Sequence, residues 1–343
     1  MPMVLSELNT QREKAGLSFN MPKVLITGSL GLVGSEAVKF FTDKGWEVVG
    51  IDANMRHQML GTPSKEGATN IDIRDRAALL EIFQTNKFDA ILHAAGQPSH
   101  DYSMEHPIED FEINALGTLY LLQMTRTFCP EAPFAFISSD RVYGGNKPQN
   151  LEELPTRYHS DYPLKENLSV DQTPHSPFGA GKVAADMYVQ EYGYQYGMKT
   201  ACFRCGCITG RNHEGSELHG FMAYLTKCIK EGRTYNIFGY KGKQVRDQIH
   251  AYDLVNAIWC FIQNPKVSAV YNMGGGPDRS VSVLEAIKLL TEKLDKPFAY
   301  TVLEKPRHSD MPWHVHDVSK FKRDYPEWDY KYSLEDIIKD LCQ

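Results

Sequence analysis

From Lys23 onward, short runs of β-branched and apolar residues alternate with longer stretches in which apolar residues recur every three or four positions. The short runs 24–26, 48–51, 90–92, 134–137 and 200–203 predict strands, because each is brief, apolar and bounded by polar or turn-forming residues. Val33, Ala37, Phe40 and Phe41 fall on one face of a helix, and Gly45 supplies a natural stop. The same spacing predicts two further long helices, over 109–127 and 180–196. Strands alternating with helices in this way predict an α/β fold: a Rossmann-type doubly wound parallel sheet, with a smaller, discontinuous C-terminal region where the pattern loosens after Gly210. The stretch 144–176 is dense in Pro, Asn and charge, and a loop of that length is expected to serve a function.

Composition narrows what such a fold can do. The chain has 343 residues, 42% hydrophobic and 23% charged, which is enough apolar material for one large core or two modest ones. A net charge of -6 argues against binding nucleic acid by general phosphate attraction, so an anionic ligand must be met by a few placed arginines. No apolar stretch approaches the roughly 20 residues that cross a bilayer, and residues 1–20 lack the core of a secretory signal. They read as an N-terminal extension, and a cytoplasmic protein without membrane attachment is expected. Seven cysteines, an odd number, fit a reducing compartment better than a disulfide framework. Cys202, Cys205 and Cys207 read as a half-buried strand, since no partner pair with zinc spacing accompanies them, and no metal site is expected.

The segment Val24-Leu25-Ile26-Thr27-Gly28-Ser29-Leu30-Gly31-Leu32-Val33-Gly34 runs from a strand through three glycines into a helix. Gly28 permits the tight turn, Gly31 lets backbone N–H groups approach a pyrophosphate, and Gly34 allows close packing of helix on strand. The spacing is GxxGxxG, and glycine-rich turns also occur in ordinary loops. Asp52 closes the second strand 18 residues past Gly34, where a carboxylate accepts hydrogen bonds from ribose hydroxyls and repels a 2′-phosphate. NAD is therefore expected rather than NADP, with Arg56 nearby able to soften the preference. The cofactor-binding set comprises Gly28, Leu30, Gly31, Leu32, Val33, Gly34, Asp52, Asn54, Asp72, Ile73, Ala94, Ala95, Asn114 and Lys182. His93 reads equally as structural or functional. The expected organisation is an extension over 1–20, an NAD-binding domain over 21–210, and a mainly substrate-binding region over 211–343 with some segments returning to the first domain.

TGSLGLVG, HAAG, NALGT, ISSDRVYG and the Lys182 region occur together in an order that resembles the extended short-chain dehydrogenase/reductases acting on nucleotide-sugars. Within that family AGQ at 95–97, FEIN at 111–114, TRY at 156–158, HSP at 175–177 and GKQVRD at 242–247 resemble the CDP-paratose (CDP-tyvelose) 2-epimerase branch. The resemblance implies an NAD-dependent epimerase that oxidises a sugar hydroxyl, lets the ketone turn over and returns the hydride to the opposite face. It assigns Ser139 to the reacting oxygen and Lys182 to the nicotinamide ribose. The catalytic tyrosine position, four residues before Lys182, is Phe178, which cannot exchange a proton. Three accounts stay open: an introduced change, a natural branch using Cys205 or a water ordered by Ser139, or a non-catalytic NAD and nucleotide-sugar binder.

The same resemblance points to a nucleotide-sugar partner, a CDP-sugar favoured, held by Gln97, Asp140, Arg141, Arg204, Asn212, His219, Arg246 and Arg307, with Arg246 and Arg307 as diphosphate clamps. For Arg204, at a strand end, an ordinary ion pair is the competing reading. Related sugar 4,6-dehydratases carry Thr-Asp-Glu where this chain has Ser139-Asp140-Arg141, so loss of the base disfavours dehydration, and 4-epimerisation of a UDP-sugar remains a neighbouring possibility. The two long helices are expected to pair across a two-fold axis in a homodimer, the alternative being that both simply cover the sheet.

Overall fold

A computed structural model describes residues 21–55, 66–145, 150–211, 213, 215, 217, 220–307 and 310–343. The first half runs β1 (Lys23–Thr27), α1 (Leu32–Asp43), β2 (Glu47–Asp52), β3 (Thr69–Asn70), α2 (Arg76–Thr85), β4 (Ala90–His93), α3 (His100–Glu105), α4 (Pro107–Phe111), α5 (Gly117–Phe128) and β5 (Phe134–Ser139). After the short pair β6 (Glu152–Glu153) and β7 (Tyr158–His159) come α6 (Ser176–Tyr196), β8 (Thr200–Cys205), β9 (Cys207–Thr209), α7 (Phe221–Glu231), β10 (Tyr235–Phe238) and β11 (Val245–His250). The chain closes with α8 (Ala251–Gln263), β12 (Ala269–Met273), β13 (Ser280–Ser282), α9 (Val283–Leu294), β14 (Tyr300–Leu303), β15 (Trp313–His314), α10 (Ser319–Asp324) and α11 (Leu334–Cys342).

Seven strands form one parallel sheet in the order β12-β8-β5-β4-β1-β2-β3. An all-parallel sheet must be covered on both faces, because its crossovers lay helices there. One face packs on α1 and α8 through Phe40, Phe41, Leu254, Ile258 and Phe261, and the other on α2, α5 and α6 through Leu79, Leu121, Ala185 and Val189. The order of connection reverses between β1 and β4, and a crevice opens there at the carboxyl ends of the strands, the place where such sheets bind ligands. Over that edge sits a second layer: β11 joins β9, β13 and β15, β10 pairs with β14, and α7, α9 and α11 share a separate apolar cluster. β12 returns from the second half to complete the main sheet.

Two sequence expectations change in detail. The stretch 109–127 is not one regular helix: α4 and α5 are joined by a π-helical turn over Glu112–Leu116. The wider turn accompanies an inward Asn114, whose Nδ2 donates to the Gln97 carbonyl at 3.0 Å and to Asp110 at 3.0 Å. The strand holding Cys202 and Cys205 is buried along its whole length rather than on one face, because β8 lies inside the sheet between β5 and β12. The described cysteines are free thiols, and no group of three potential ligands is placed to hold a metal among the described residues. No helix among them is long and apolar enough to cross a membrane.

Candidate active site

Thr27 ends β1, and the glycine bend that follows is held by the neighbouring strand: the N–H groups of Gly28 and Ser29 both donate to the Ile51 carbonyl, at 2.8 and 3.2 Å. Gly28 has φ +68°, and a Cβ there would lie 2.7 Å from the Ala95 nitrogen. At Gly34 a Cβ would run into the Gly28 carbonyl, so the first turn of α1 can lie against the bend only without a side chain. No side chain caps that turn and no acid lies in it. Its free N–H groups and helix dipole face the crevice, a donor set suited to a pyrophosphate. Asp52 Oδ2 accepts from Leu30 N at 3.1 Å and Oδ1 from Asn54 N at 2.8 Å, which ties the carboxylate to the rim of the bend. Asp72 is gripped by Arg74 at 2.7 Å, and although burial pushes its carboxyl up, those hydrogen bonds hold it below its ordinary value.

Behind the bend, His93 is fully buried between two threonines. Thr118 Oγ1 already donates to the Asn114 carbonyl, so it accepts from Nε2–H at 2.9 Å, and Thr27 Oγ1 donates to Nδ1 at 2.7 Å. Burial, helped by the charge of Lys182, pushes the imidazole down to about 3, and His93 is a neutral structural link.

A cleft of about 800 Å³ runs from this bend across the ends of β4 and β5 to the second layer. Its wall includes Gly28, Leu30, Gly31, Leu32, Val33, Gly34, Asp52, Asp72, Ile73, Ala94 and Ala95 at one end. Gln97, Ser139, Asp140, Arg141, Phe178 and Lys182 line the middle, with Arg246 and Arg307 at the far end. Lys182 Nζ donates to the Ile137 carbonyl at 3.3 Å and lies 4.9 Å from the centre of the Phe136 ring. Burial draws its pKa down to about 8, against the opposing pull of Asp110. Ser139 Oγ donates to Asp140 at 3.2 Å and accepts from Arg141 N at 3.2 Å. Asp140 also meets His314 Nδ1 at 2.7 Å, and despite its burial, His314 and Arg141 hold it well below the usual carboxylate range. Arg246 pairs with Asp310, while Arg307 donates to the Glu217 carbonyl and covers the Phe238 ring at 4.5 Å.

Three expected residues stand elsewhere. Arg204 is not on the cleft wall: it is 4% exposed and grips Asp186 bidentately at 2.7 and 3.1 Å, so the ion-pair reading replaces the substrate role. A guanidinium on an interior strand can be held only by such a partner. Asn114 sits behind Gly96 rather than on the wall, and Asn54 turns below the rim beside Asp52. Asn212, His219 and Arg56 lie outside the described residues. Cys205 reaches the cleft, yet its thiol donates to the Phe203 carbonyl at 3.3 Å and burial pushes its pKa far up, so it stays protonated and cannot replace a tyrosinate. The first turn of α3 contributes His100 and Asp101 to the wall, which sequence reasoning overlooked. The one signal was a histidine three residues after Gln97, in a segment read only as far as Gln97.

Residues 24–274 match the model of the NAD dependent epimerase/dehydratase family. The chain belongs to this family. NAD is its cofactor, and the glycine bend, the uncapped helix and Asp52 fit it. The chain is 30% identical over 335 residues to the CDP-paratose 2-epimerase of Salmonella typhi, covering 93% of this chain and 98% of that protein. It is 29% identical over 340 residues to a dTDP-glucose 4,6-dehydratase of Xanthomonas campestris, covering 92% and 90%. Among solved structures, the UDP-glucose 4-epimerase of Thermotoga maritima with UDP-glucose superposes with a TM-score of 0.75 at 26% identity, covering 93% of this chain and 97% of that one. The family is thus one of nucleotide-sugar epimerases and dehydratases of the extended short-chain dehydrogenase/reductase type.

Proposed function

We propose that this chain is an NAD-dependent nucleotide-sugar epimerase, and that its substrate is a CDP-deoxysugar of the paratose type, inverted at C2. The observation that carries the reading is one continuous cleft with a dinucleotide bend at one end, two arginines at the other, and Ser139 with Lys182 between them. Guanidinium groups recognise diphosphate oxygens bidentately, and in an acidic protein Arg246 and Arg307 supply that charge locally. The 30% identity to a CDP-paratose 2-epimerase along almost the whole of both chains supports the choice of nucleotide and carbon.

NAD, when bound, supplies a reversible hydride acceptor. The chain's own residues do the rest. The α1 amides and Asp52 hold the dinucleotide, and Lys182, still mostly charged at neutral pH, steadies the nicotinamide ribose. Ser139 directs its hydroxyl at the oxygen that becomes the ketone. Dehydration would need an acid at position 140 and a base at 141. Asp140 is kept ionised by His314 and Arg141, and the Arg141 guanidinium cannot accept a proton, which favours epimerisation.

The test is incubation with CDP-, UDP-, GDP- and dTDP-sugars in H₂O and in D₂O, followed by NMR of the products, for the chain as it stands and for Phe178→Tyr. An inverted sugar without deuterium at the inverted carbon is expected, because the hydrogen returns through the cofactor. A 4-keto product, released NADH, or no turnover by either form contradicts the reading.

The resemblance also pairs α6 and the α4–α5 segment across a two-fold axis. Ile108, Phe111, Tyr188 and Tyr194, between 46% and 75% exposed, supply an apolar face for a second copy. Sedimentation of Ile108→Glu as a monomer is expected. The free thiols suit a cytoplasmic setting.

A further inference from the structure

Phe178 occupies the position at which proton exchange needs an oxygen, and its ring is 6% exposed against the cleft. The imidazole of His100 meets that ring edge to face, with centroids 4.9 Å apart and planes at 70°. At this separation the two rings are in van der Waals contact, and both line the same cleft as Ser139 and Lys182.

The backbone before His100 and one nitrogen of its ring are each held. On its own side, Gln97 Nε2 donates to the Ser99 carbonyl at 2.8 Å and to Asp110 at 2.7 Å, and Ser99 Oγ caps α3 by accepting from Tyr102 N at 3.2 Å. On the facing side, Ser176 Oγ lies 2.8 Å from His100 Nδ1 and accepts from Gly179 N at 3.4 Å. Ser176 is a non-glycine residue with φ +65°, a conformation that costs about 1–2 kcal/mol and persists where its surroundings enforce it, most often at functional sites. In the tautomer that donates Nδ1–H to Ser176 Oγ, the lone pair stands on Nε2.

The geometry points to His100 as the catalytic residue that exchanges the proton with the sugar hydroxyl, in place of the absent phenol. The assignment rests on the epimerase reading above. In the oxidative half the hydroxyl O–H bond breaks and its proton passes to Nε2. Its electron pair forms the carbonyl as the C–H hydride leaves to oxidised nicotinamide, and the return half reverses both transfers from the other face. The charge is balanced throughout: a neutral imidazole becomes imidazolium and is restored. Ser139 orients the oxygen, and Phe178 remains as a wall against which the imidazole packs.

The test compares His100→Gln in the parent chain and in the Phe178→Tyr background. Glutamine keeps a polar side chain but cannot accept a proton. In the parent, kcat falls by about 10² to 10⁴, while NAD affinity by calorimetry stays within about threefold. In the Phe178→Tyr background the restored phenol carries the proton, and the same substitution costs less than about tenfold. A second readout needs no turnover: in ¹⁵N-histidine-labelled protein with NAD, the imidazole signal that His100→Gln removes moves on addition of CDP-glucose. A parent variant within about threefold in kcat, an equal loss in both backgrounds, or a His100 signal indifferent to CDP-glucose overturns the assignment. Turnover confined to the Phe178→Tyr forms overturns the role of His100 and leaves the epimerase reading standing. No turnover in any form removes both.

Discussion

Arg204 offers the sharpest contrast between a ligand clamp and a buried brace. Its guanidinium donates two hydrogen bonds to Asp186, and further ones to the Tyr143 hydroxyl at 3.2 Å and the Glu166 carbonyl at 3.4 Å. The pair's side chains are 4% and 0% exposed. Arg204→Met removes one charge and leaves the Asp186 carboxylate in the interior, a change that costs about 3–5 kcal/mol. Asp186 would still accept from Ser138 at 2.6 Å and from Gln190 at 2.7 Å, and Tyr143 would still donate to Asn272 at 2.6 Å. Those remaining donors place the expected loss at the lower end, about 3 kcal/mol. Equilibrium unfolding in urea measures it, alongside calorimetry for NAD and KM for the nucleotide-sugar. The double variant Asp186→Leu/Arg204→Met should regain most of the loss, because no unpaired charge remains. An Arg204→Met protein within about 1 kcal/mol of the parent, but with a KM raised about tenfold or more, would refute this and return Arg204 to the substrate.

Four further outcomes follow from the same geometry. His93 binds a proton at about 3 in the folded chain and near 6.5 unfolded, so stability is lost as pH falls from 6.5 towards 3, at about 1.4 kcal/mol per pH unit; His93→Gln should flatten that slope by close to one proton, and an unchanged slope in acid unfolding counts against it. Gly28→Ala adds a side chain at φ +68° and 2.7 Å from Ala95 N, which should cost about 2–5 kcal/mol and weaken NAD binding, read by unfolding and calorimetry. Asp52→Asn keeps an acceptor for only one of the Leu30 and Asn54 N–H groups, turns an amide NH₂ towards the other, and loses the charge proposed to meet the ribose, so NAD affinity should fall by about tenfold to a hundredfold in calorimetry. Arg246→Gln should raise KM for the nucleotide-sugar by about tenfold or more with little change in kcat, since the diphosphate contact proposed for it lies away from the reacting carbon; an effect on kcat alone would contradict that.

The parallel sheet was legible because its inner strands bury both faces, and a continuous run such as 90–92 or 200–203 has no other economical reading between helices. The glycine bend was legible for a related reason. Its constraints are local: Gly28, Gly34 and Asp52 each answer a backbone requirement within one βαβ unit. The far half of the site obeys no local rule. Asp140 owes its ionised state to His314, 174 positions away, and nothing in either neighbourhood of the chain announces the pairing. Arg204 misled for the same cause, since a strand-end arginine aims at ligand or core according to whether a carboxylate such as Asp186 arrives from another element.

Position 178 brings the two kinds of constraint together. The motif around it places a flat ring on α6 at the cleft, and phenylalanine satisfies that packing as well as tyrosine, so folding alone does not report the absence of the oxygen that the resemblance expects. Chemistry does report it, because a hydroxyl cannot be oxidised without somewhere to put its proton. Among the described residues, Asp140 is already committed to His314, the Cys205 thiol is held protonated, and Lys182 is mostly charged at neutral pH, which among these groups leaves the imidazole touching Phe178 with the right chemistry. A change that looks like loss of function in one helix is therefore best judged across the cleft, at the start of another.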